Sequence, residues 1–335
     1  MSDRFELTQP LAGARFGGRV ALQGASAARF VETAERQPET LPAMLAASGG
    51  LLLLTGQDGM AAEPELLVRL SRLFGSEVEN YRHTLTPPNM VHETVPEIFI
   101  VSNVPPVSRQ PPRRPDPPLT DDGRLPTRFP HRRGWHTDQS YRRPPPDISL
   151  FLAVSPVPKG QGQTLFADGS AAYDALEPSL KARVDGLEGI HVGISAKRSR
   201  DDVVAGTPSR PLGPYELPQR QPVARVHPVT GRRALYLCEY GQMDWLEGPF
   251  AGLSPGPDGE GARLLHEIMS HLTREEFLYV HEWTMGDLIV WDNRCLVHAA
   301  TWFDTETQNR VMWRTTVSGN PGAIYAGERK SWLPA

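Results

Sequence analysis

A long succession of short strand-like runs constrains this chain more than any other feature. These are "EIFIVSN", "DISLFLAVSP", "QTLFADG", "IHVGIS", "PVARVHP", "RALYLCEY", "EFLYVHEW", "DLIVWDN" and "RVMWRTTVSG". Each is rich in β-branched and aromatic residues and is bounded by Gly, Pro, Asp or Asn, as strands separated by turns are. "VHPVTGRRALYL" reads as a hairpin with its turn near Thr230–Gly231. Helical spacing is confined to four stretches: "LPAMLAASG", "EPELLVRLSRLFG", "AAYDALEPSLKARVDGL" and "ARLLHEIMSHL". Many strands with a few helices outside predict a mainly β fold with flanking helices, a double-sheet arrangement of jelly-roll type. No linker interrupts the pattern, so residues 1–335 are expected to form a single domain.

A chain of 335 residues can bury a substantial core without disulfide staples. A net charge of −4 gives no reason to expect nucleic acid as a partner. The longest apolar runs, such as "GLLLLTG" at Gly50–Gly56, are too short to span a bilayer. Two cysteines far apart, Cys238 and Cys295, and an N-terminus without a signal-like apolar segment point to a cytoplasmic protein. The 33 prolines are about twice the usual share. Many fall in "VPPVSRQPPRRPDPPLTDDGRLPTRFP", which excludes a helix or a central strand there. We read 104–133 as a long loop, either passive or a lid over a site.

That loop leads into "GWHTDQSY", where His136 and Asp138 stand two residues apart. In an extended segment, His136, Asp138 and Ser140 would share one face. A histidine nitrogen and a carboxylate oxygen on one face are two thirds of a two-His-one-carboxylate metal site. The bland alternative is a surface strand showing polar residues. The best candidate for a third ligand is His298, in what reads as a polar turn after the apolar run "DLIVWDN". In "RVMWRTTVSG", Arg310, Met312 and Arg314 would share a face if the strand is regular. Inward arginines are costly unless they meet anions, and the planar guanidinium suits a carboxylate.

Other candidates have blander readings. His266 and His271 in "HEIMSH" are five apart, which misses the spacing of helical zinc pairs and suggests a solvated helix face. "GQGQT" lacks the lysine of a phosphate loop. Trp291-Asp292-Asn293 reads as a brace for the turn presenting His298, and Cys295 as a small core residue. Arg132, Arg133, Arg142 and Arg143 are either solvated loop charge or attractors of an anionic substrate.

Taken together, "GLLLLTGQDG", "LSRLFG", "PEIFIVSNV", "WHTDQSY", "PPPDISLFLAVSPVPKGQGQTLFADGSAAYDAL", "GRRALYL", "GDLIVWDNRCLVH" and "RVMWRTTVSG" resemble the taurine/2,4-D dioxygenase family of Fe(II)/2-oxoglutarate-dependent oxygenases, from roughly Leu11 to Gly319. The resemblance implies a double-stranded β-helix in which His136, Asp138 and His298 bind Fe(II). It implies that Thr164 and Arg310 hold 2-oxoglutarate, the cosubstrate used with O2. Arg314 occupies the position that contacts an anionic substrate or supports the cosubstrate. Asn103 and His92 resemble residues near the family's substrate pocket. The implied reaction is hydroxylation of a small, anionic organic molecule, with possible C–O, C–N or C–S cleavage. The carboxylate of Asp138 argues against the halogenating variant of this chemistry. Desaturation or cyclisation in secondary metabolism would use the same iron site, and a non-catalytic family member is the remaining alternative. The resemblance also implies a homo-oligomer, a dimer or tetramer.

Overall fold

A computed structural model describes residues 4–112, 134–239 and 241–333. Strands β1 (Glu6–Thr8) and β2 (Gly18–Ala21) precede helices α1 (Ala27–Arg36) and α2 (Thr40–Ala47) and strand β3 (Leu51–Leu54). Helix α3 (Glu65–Ser71) leads to β4 (Glu77–Val78), β5 (Phe99–Ser102), β6 (Ile148–Ser155) and β7 (Thr164–Asp168). Helices α4 (Gly169–Asp174) and α5 (Pro178–Val184), strand β8 (Glu188–His191) and helix α6 (Arg200–Val204) follow. Strands β9 (Gln219–Pro222), β10 (Ala224–Val226) and β11 (Arg233–Leu235) come before α7 (Glu260–Leu272). The last strands are β12 (Leu278–His281), β13 (Leu288–Asp292), β14 (Leu296–Ala300) and β15 (Val311–Ser318).

Two sheets face each other in a jelly roll. The larger has the order β1-β2-β3-β13-β6-β15-β4, with β5 also on β15, and the smaller the order β12-β7-β14. Alternation decides what each strand shows to the space between them. Leu51 and Leu53 of β3, Phe151 and Ala153 of β6, Phe166 of β7, Ile289 and Trp291 of β13 and Met312 of β15 form the inner layer. Leu52, Leu150, Leu152, Leu288, Val290 and Trp313 face outward under α1, α2 and α3. Leu165, Ala167, Val297 and Ala299 face outward from the smaller sheet onto α4 and α7. A fully buried inner side chain such as Phe166 contributes on the order of 2–3 kcal/mol of burial.

The expected hairpin is present as β10 against β11, with Gly231 at φ +70°. "AAYDALEPSLKARVDGL" divides into α4 and α5, where Pro178 opens a second helix. α1 was not expected from the sequence. Its N-cap is Ser26, whose side chain accepts from Arg29 N. The solvated-face reading of "HEIMSH" is corrected: His271 is buried, with Nε2 2.8 Å from the carbonyl of Ala172.

Candidate metal centre

His298 lies in the middle of β14, not in a turn beyond a strand. It faces inward because Val297 and Ala299 point out to α4 and α7. Its neighbour is His136, and the two residues form a reciprocal backbone pair: His136 N to His298 O at 2.9 Å and His298 N to His136 O at 2.7 Å. "WHTDQSY" is therefore extended only briefly, and residues 138–141 turn. The expectation that Ser140 shares a face with His136 and Asp138 is corrected. Its hydroxyl is buried against His191 Nδ1 at 2.8 Å and Cys238 Sγ at 3.2 Å. Gly134, at φ +87°, brings the chain into this segment in a conformation that favours glycine.

The turn places Asp138 Oδ1 3.8 Å from His136 Nε2 and 3.9 Å from His298 Nε2. The three ligand atoms lie within 4.8 Å of one another. Their surroundings set them up for a cation. His136 Nδ1 donates to the Gly134 carbonyl at 2.6 Å, which leaves the Nε2 lone pair facing the centre. The His298 ring is held by Trp291 and Phe166, at centroid distances of 4.9 and 6.0 Å. Burial, then His136, push His298 down to about 3, and burial lowers His136, so both imidazoles are neutral ligands at pH 7. Burial would raise Asp138, but Arg314, both imidazoles and the Ser149 hydroxyl hold it well below the usual carboxylate range. Two neutral imidazoles and one carboxylate, with one side open to a cavity, fit a divalent transition metal.

The brace for Asp138 is Asn293. Its Oδ1 accepts from Asp138 N at 3.1 Å and Trp291 Nε1 at 2.9 Å, and its Nδ2 donates to Ser149 Oγ at 3.0 Å. Ser149 in turn donates to Asp138 Oδ2 at 2.7 Å. The Trp-Asp-Asn motif thus steadies the aspartate as well as the strand end. On the far side of the turn, Glu79 pairs with Arg142 and accepts from Gln139, so Arg142 is a buried structural partner. Arg143 pairs with Glu328. Arg132 and Arg133 lie outside the described residues.

A cavity of about 370 Å³ opens on the triad, walled by Phe151, Trp291 and Phe303 and reached by Thr164, Asn103, Arg310 and Arg314. β15 carries a bulge between Val311 and Met312, yet both arginines still line the cavity. Arg310 is buried, no carboxylate pairs with it, and Nε and Nη2 have no hydrogen-bond partner among the described residues. Burial and Arg109 pull it down to about 10. Arg314 donates to Asp138 Oδ1 at 2.8 Å, so part of its charge is committed to the ligand carboxylate. Thr164 opens β7 and accepts from Trp283 Nε1 at 3.0 Å. Asn103 spends its amide on the backbone, accepting from Arg310 N and donating to Gln308 O, each at 2.8 Å.

His92 is corrected. It packs edge-on against outward-facing Trp313, at 4.8 Å, and does not line the cavity. Of the Pro-rich stretch, 113–133 lies outside the described residues, while Arg109, Gln110, Pro111 and Pro112 reach the cavity wall. Arg109 and Gln242 carried no sequence signal, since neither belongs to a periodic run. A second cluster, His227, Asp292 and Cys295, makes no open metal site. Asp292 is already bonded to Arg294 and to His227 Nε2. His227 Nδ1 accepts two backbone N–H groups of the hairpin turn. Among the described residues, no helix is long and apolar enough to cross a membrane.

Two inward histidines and a braced aspartate between jelly-roll sheets are a candidate two-His-one-carboxylate metal site. Residues 7–316 match the family described as "Taurine catabolism dioxygenase TauD, TfdA family", and the chain belongs to it. The chain is 35% identical over 196 residues to an (S)-phenoxypropionate/alpha-ketoglutarate-dioxygenase of Sphingobium herbicidovorans, covering 58% of this chain and 64% of that protein. It is 34% identical over 183 residues to an alpha-ketoglutarate-dependent 2,4-dichlorophenoxyacetate dioxygenase of Cupriavidus pinatubonensis, covering 55% and 59%. The matched part therefore spans just under two thirds of these relatives. Among solved structures, AAD-2 in complex with Mn(II) and N-oxalylglycine superposes with a TM-score of 0.65 at 26% identity, covering 95% of this chain and 98% of that one.

Proposed function

We propose that the protein is an Fe(II)- and 2-oxoglutarate-dependent dioxygenase that hydroxylates a small anionic organic molecule. The observation that carries this reading is Arg310, a buried guanidinium with no carboxylate partner among the described residues, sharing one cavity with His136 and His298 of the candidate triad. A dicarboxylate that reaches both answers the needs of each. The relatives' names, which specify alpha-ketoglutarate and aryloxy acids, support the same reading.

In this mechanism His136, Asp138 and His298 would hold the iron. Bound Fe(II) supplies the redox chemistry by which O2 converts 2-oxoglutarate to succinate and CO2 and places the other oxygen atom on a substrate C–H. Arg310 and the Thr164 hydroxyl bind the distal carboxylate. Phe151, Trp291 and Phe303 keep water from the reacting centre. Asn293 and Ser149 keep Asp138 oriented and ionised. Arg314, with one donor on Asp138, offers its remaining edge to a substrate anion. The purified protein should release succinate when supplied with Fe(II), 2-oxoglutarate and a screen of aryloxy acids, sulfonates, amino acids and alkyl sulfates. Anaerobic Fe(II) plus 2-oxoglutarate should give a weak visible charge-transfer band, and its absence refutes the reading. Gel filtration with light scattering tests the accompanying expectation of a dimer or tetramer.

A further inference from the structure

Thr164 is buried, and among the described residues its hydroxyl has one hydrogen-bond partner, the indole N–H of Trp283 at 3.0 Å. An indole N–H can only donate, so the hydroxyl oxygen must accept and its own proton is left to give away. Among the described residues no acceptor takes that proton, and the group lines the cavity beside Arg310. Without Trp283, no group among the described residues would fix the direction in which that proton points.

The indole is itself firmly placed. Trp283 is buried, with its ring edge-on to His281 at 4.5 Å and to Phe151 at 5.4 Å. Phe151 is also the ring that faces the Arg310 guanidinium, at 5.8 Å. Just before it, Glu282 accepts from Gln163 Nε2 at 2.7 Å and from Gly160 N at 2.8 Å. Residues 282–283 therefore clasp 163–164 by two adjacent side-chain bonds, continuing the β12–β7 ladder past the His281–Thr164 pair.

We infer that Trp283 is a positioning residue for the cosubstrate: by donating to Thr164 it fixes the orientation of the hydroxyl and so aims its proton at the carboxylate held by Arg310. This rests on the 2-oxoglutarate reading above and adds to it the residue that sets the direction of the hydroxyl.

The test is calorimetric binding to the Mn(II)-loaded protein, with 2-oxoglutarate compared with oxalate. Oxalate can chelate the metal but has no distal carboxylate. Trp283→Phe keeps a ring and deletes the N–H. It should weaken 2-oxoglutarate roughly three- to tenfold, on the scale of one hydrogen bond, and leave oxalate within about twofold. Thr164→Val should show the same selective loss, at least as large, and adding Trp283→Phe to it should change little. Equal losses for both ligands would make Trp283 a packing residue only and overturn the inference, as would no loss at all. Oxalate binding also reports an intact site. If Trp283→Phe does not fold, Trp283→Leu, which also lacks the donor, gives the same comparison. If the native protein does not bind 2-oxoglutarate more tightly than Arg310→Met does, the cosubstrate reading fails instead, whatever Trp283 does.

Discussion

Replacing Arg310 by Met should make the ligand-free protein more stable and the site worse. The guanidinium is 6% exposed, lacks an acidic partner among the described residues, and is pulled by burial down to about 10. A tenfold change in an ionisation equilibrium corresponds to about 1.4 kcal/mol, so holding this charge in the empty cavity costs on the order of 3 kcal/mol. Methionine fills similar space without that cost. For a 335-residue chain the unfolding entropy corresponds to about 0.7 kcal/mol per degree, so relief of about 1–3 kcal/mol raises Tm by about 1–4 °C. The same change removes a charged partner from a desolvated carboxylate, at about 2–5 kcal/mol, or roughly 30- to 5000-fold in 2-oxoglutarate affinity. Differential scanning calorimetry of the metal-loaded protein, with and without 2-oxoglutarate, reads both effects. The native protein should gain Tm on adding 2-oxoglutarate, and Arg310→Met should start higher and gain almost nothing. A variant that starts no higher and still binds 2-oxoglutarate within threefold of the native protein would refute the reasoning.

Other outcomes follow from neighbouring contacts. Alanine at His136, Asp138 or His298 should abolish tight Mn(II) binding by calorimetry while the far-ultraviolet circular dichroism stays unchanged, because the braces of the turn remain. Asn293→Ala strips acceptors from Asp138 N and Trp291 Nε1, and should cost about 1–3 kcal/mol per orphaned donor in urea unfolding while also weakening Mn(II). His191 is buried and pushed down to about 3, whereas the unfolded chain protonates it near 6.5. Its contribution is therefore fully present above about 6.5 and is lost as pH falls toward 3, by about 2 kcal/mol between pH 7 and 5. Urea midpoints in a chelating buffer should show that slope together with a similar share from His298, which is lowered likewise, and His191→Asn should remove only its own share.

What could be read from the sequence divides along physical lines. Runs rich in β-branched and aromatic residues between turn residues carried strands such as β13, but inward Ile289 and Trp291 and outward Leu288 and Val290 are alike apolar, so the two faces were not legible. His298 was found but put in a turn, because a histidine interrupts the apolar run "LVHAA", and only strand pairing reveals that it points inward. The turn after Thr137 was missed. Its causes are non-local: Asn293 holds Asp138 from 155 positions away, and Glu79 holds Arg142 from 63. His92 was misplaced for the same kind of reason, since the cavity and helix sides of β15 differ by a single residue step. Trp283 and Arg109 left no local signature, as their significance lies in what they approach across the fold.

The reciprocal backbone pair between His136 and His298 has a consequence for anyone wishing to change the metal. Two of the three ligands are anchored to adjacent extended segments, so main-chain geometry sets the gap between them, and side-chain edits elsewhere can barely alter it. The third ligand hangs on a turn kept in place by removable side chains: Ser149, Asn293, Gln139, Arg142. Selectivity for another ion is therefore adjustable from one side only. Redesign should leave β14 alone and work through the tether of Asp138, treating the centre as a fixed jaw and a movable one.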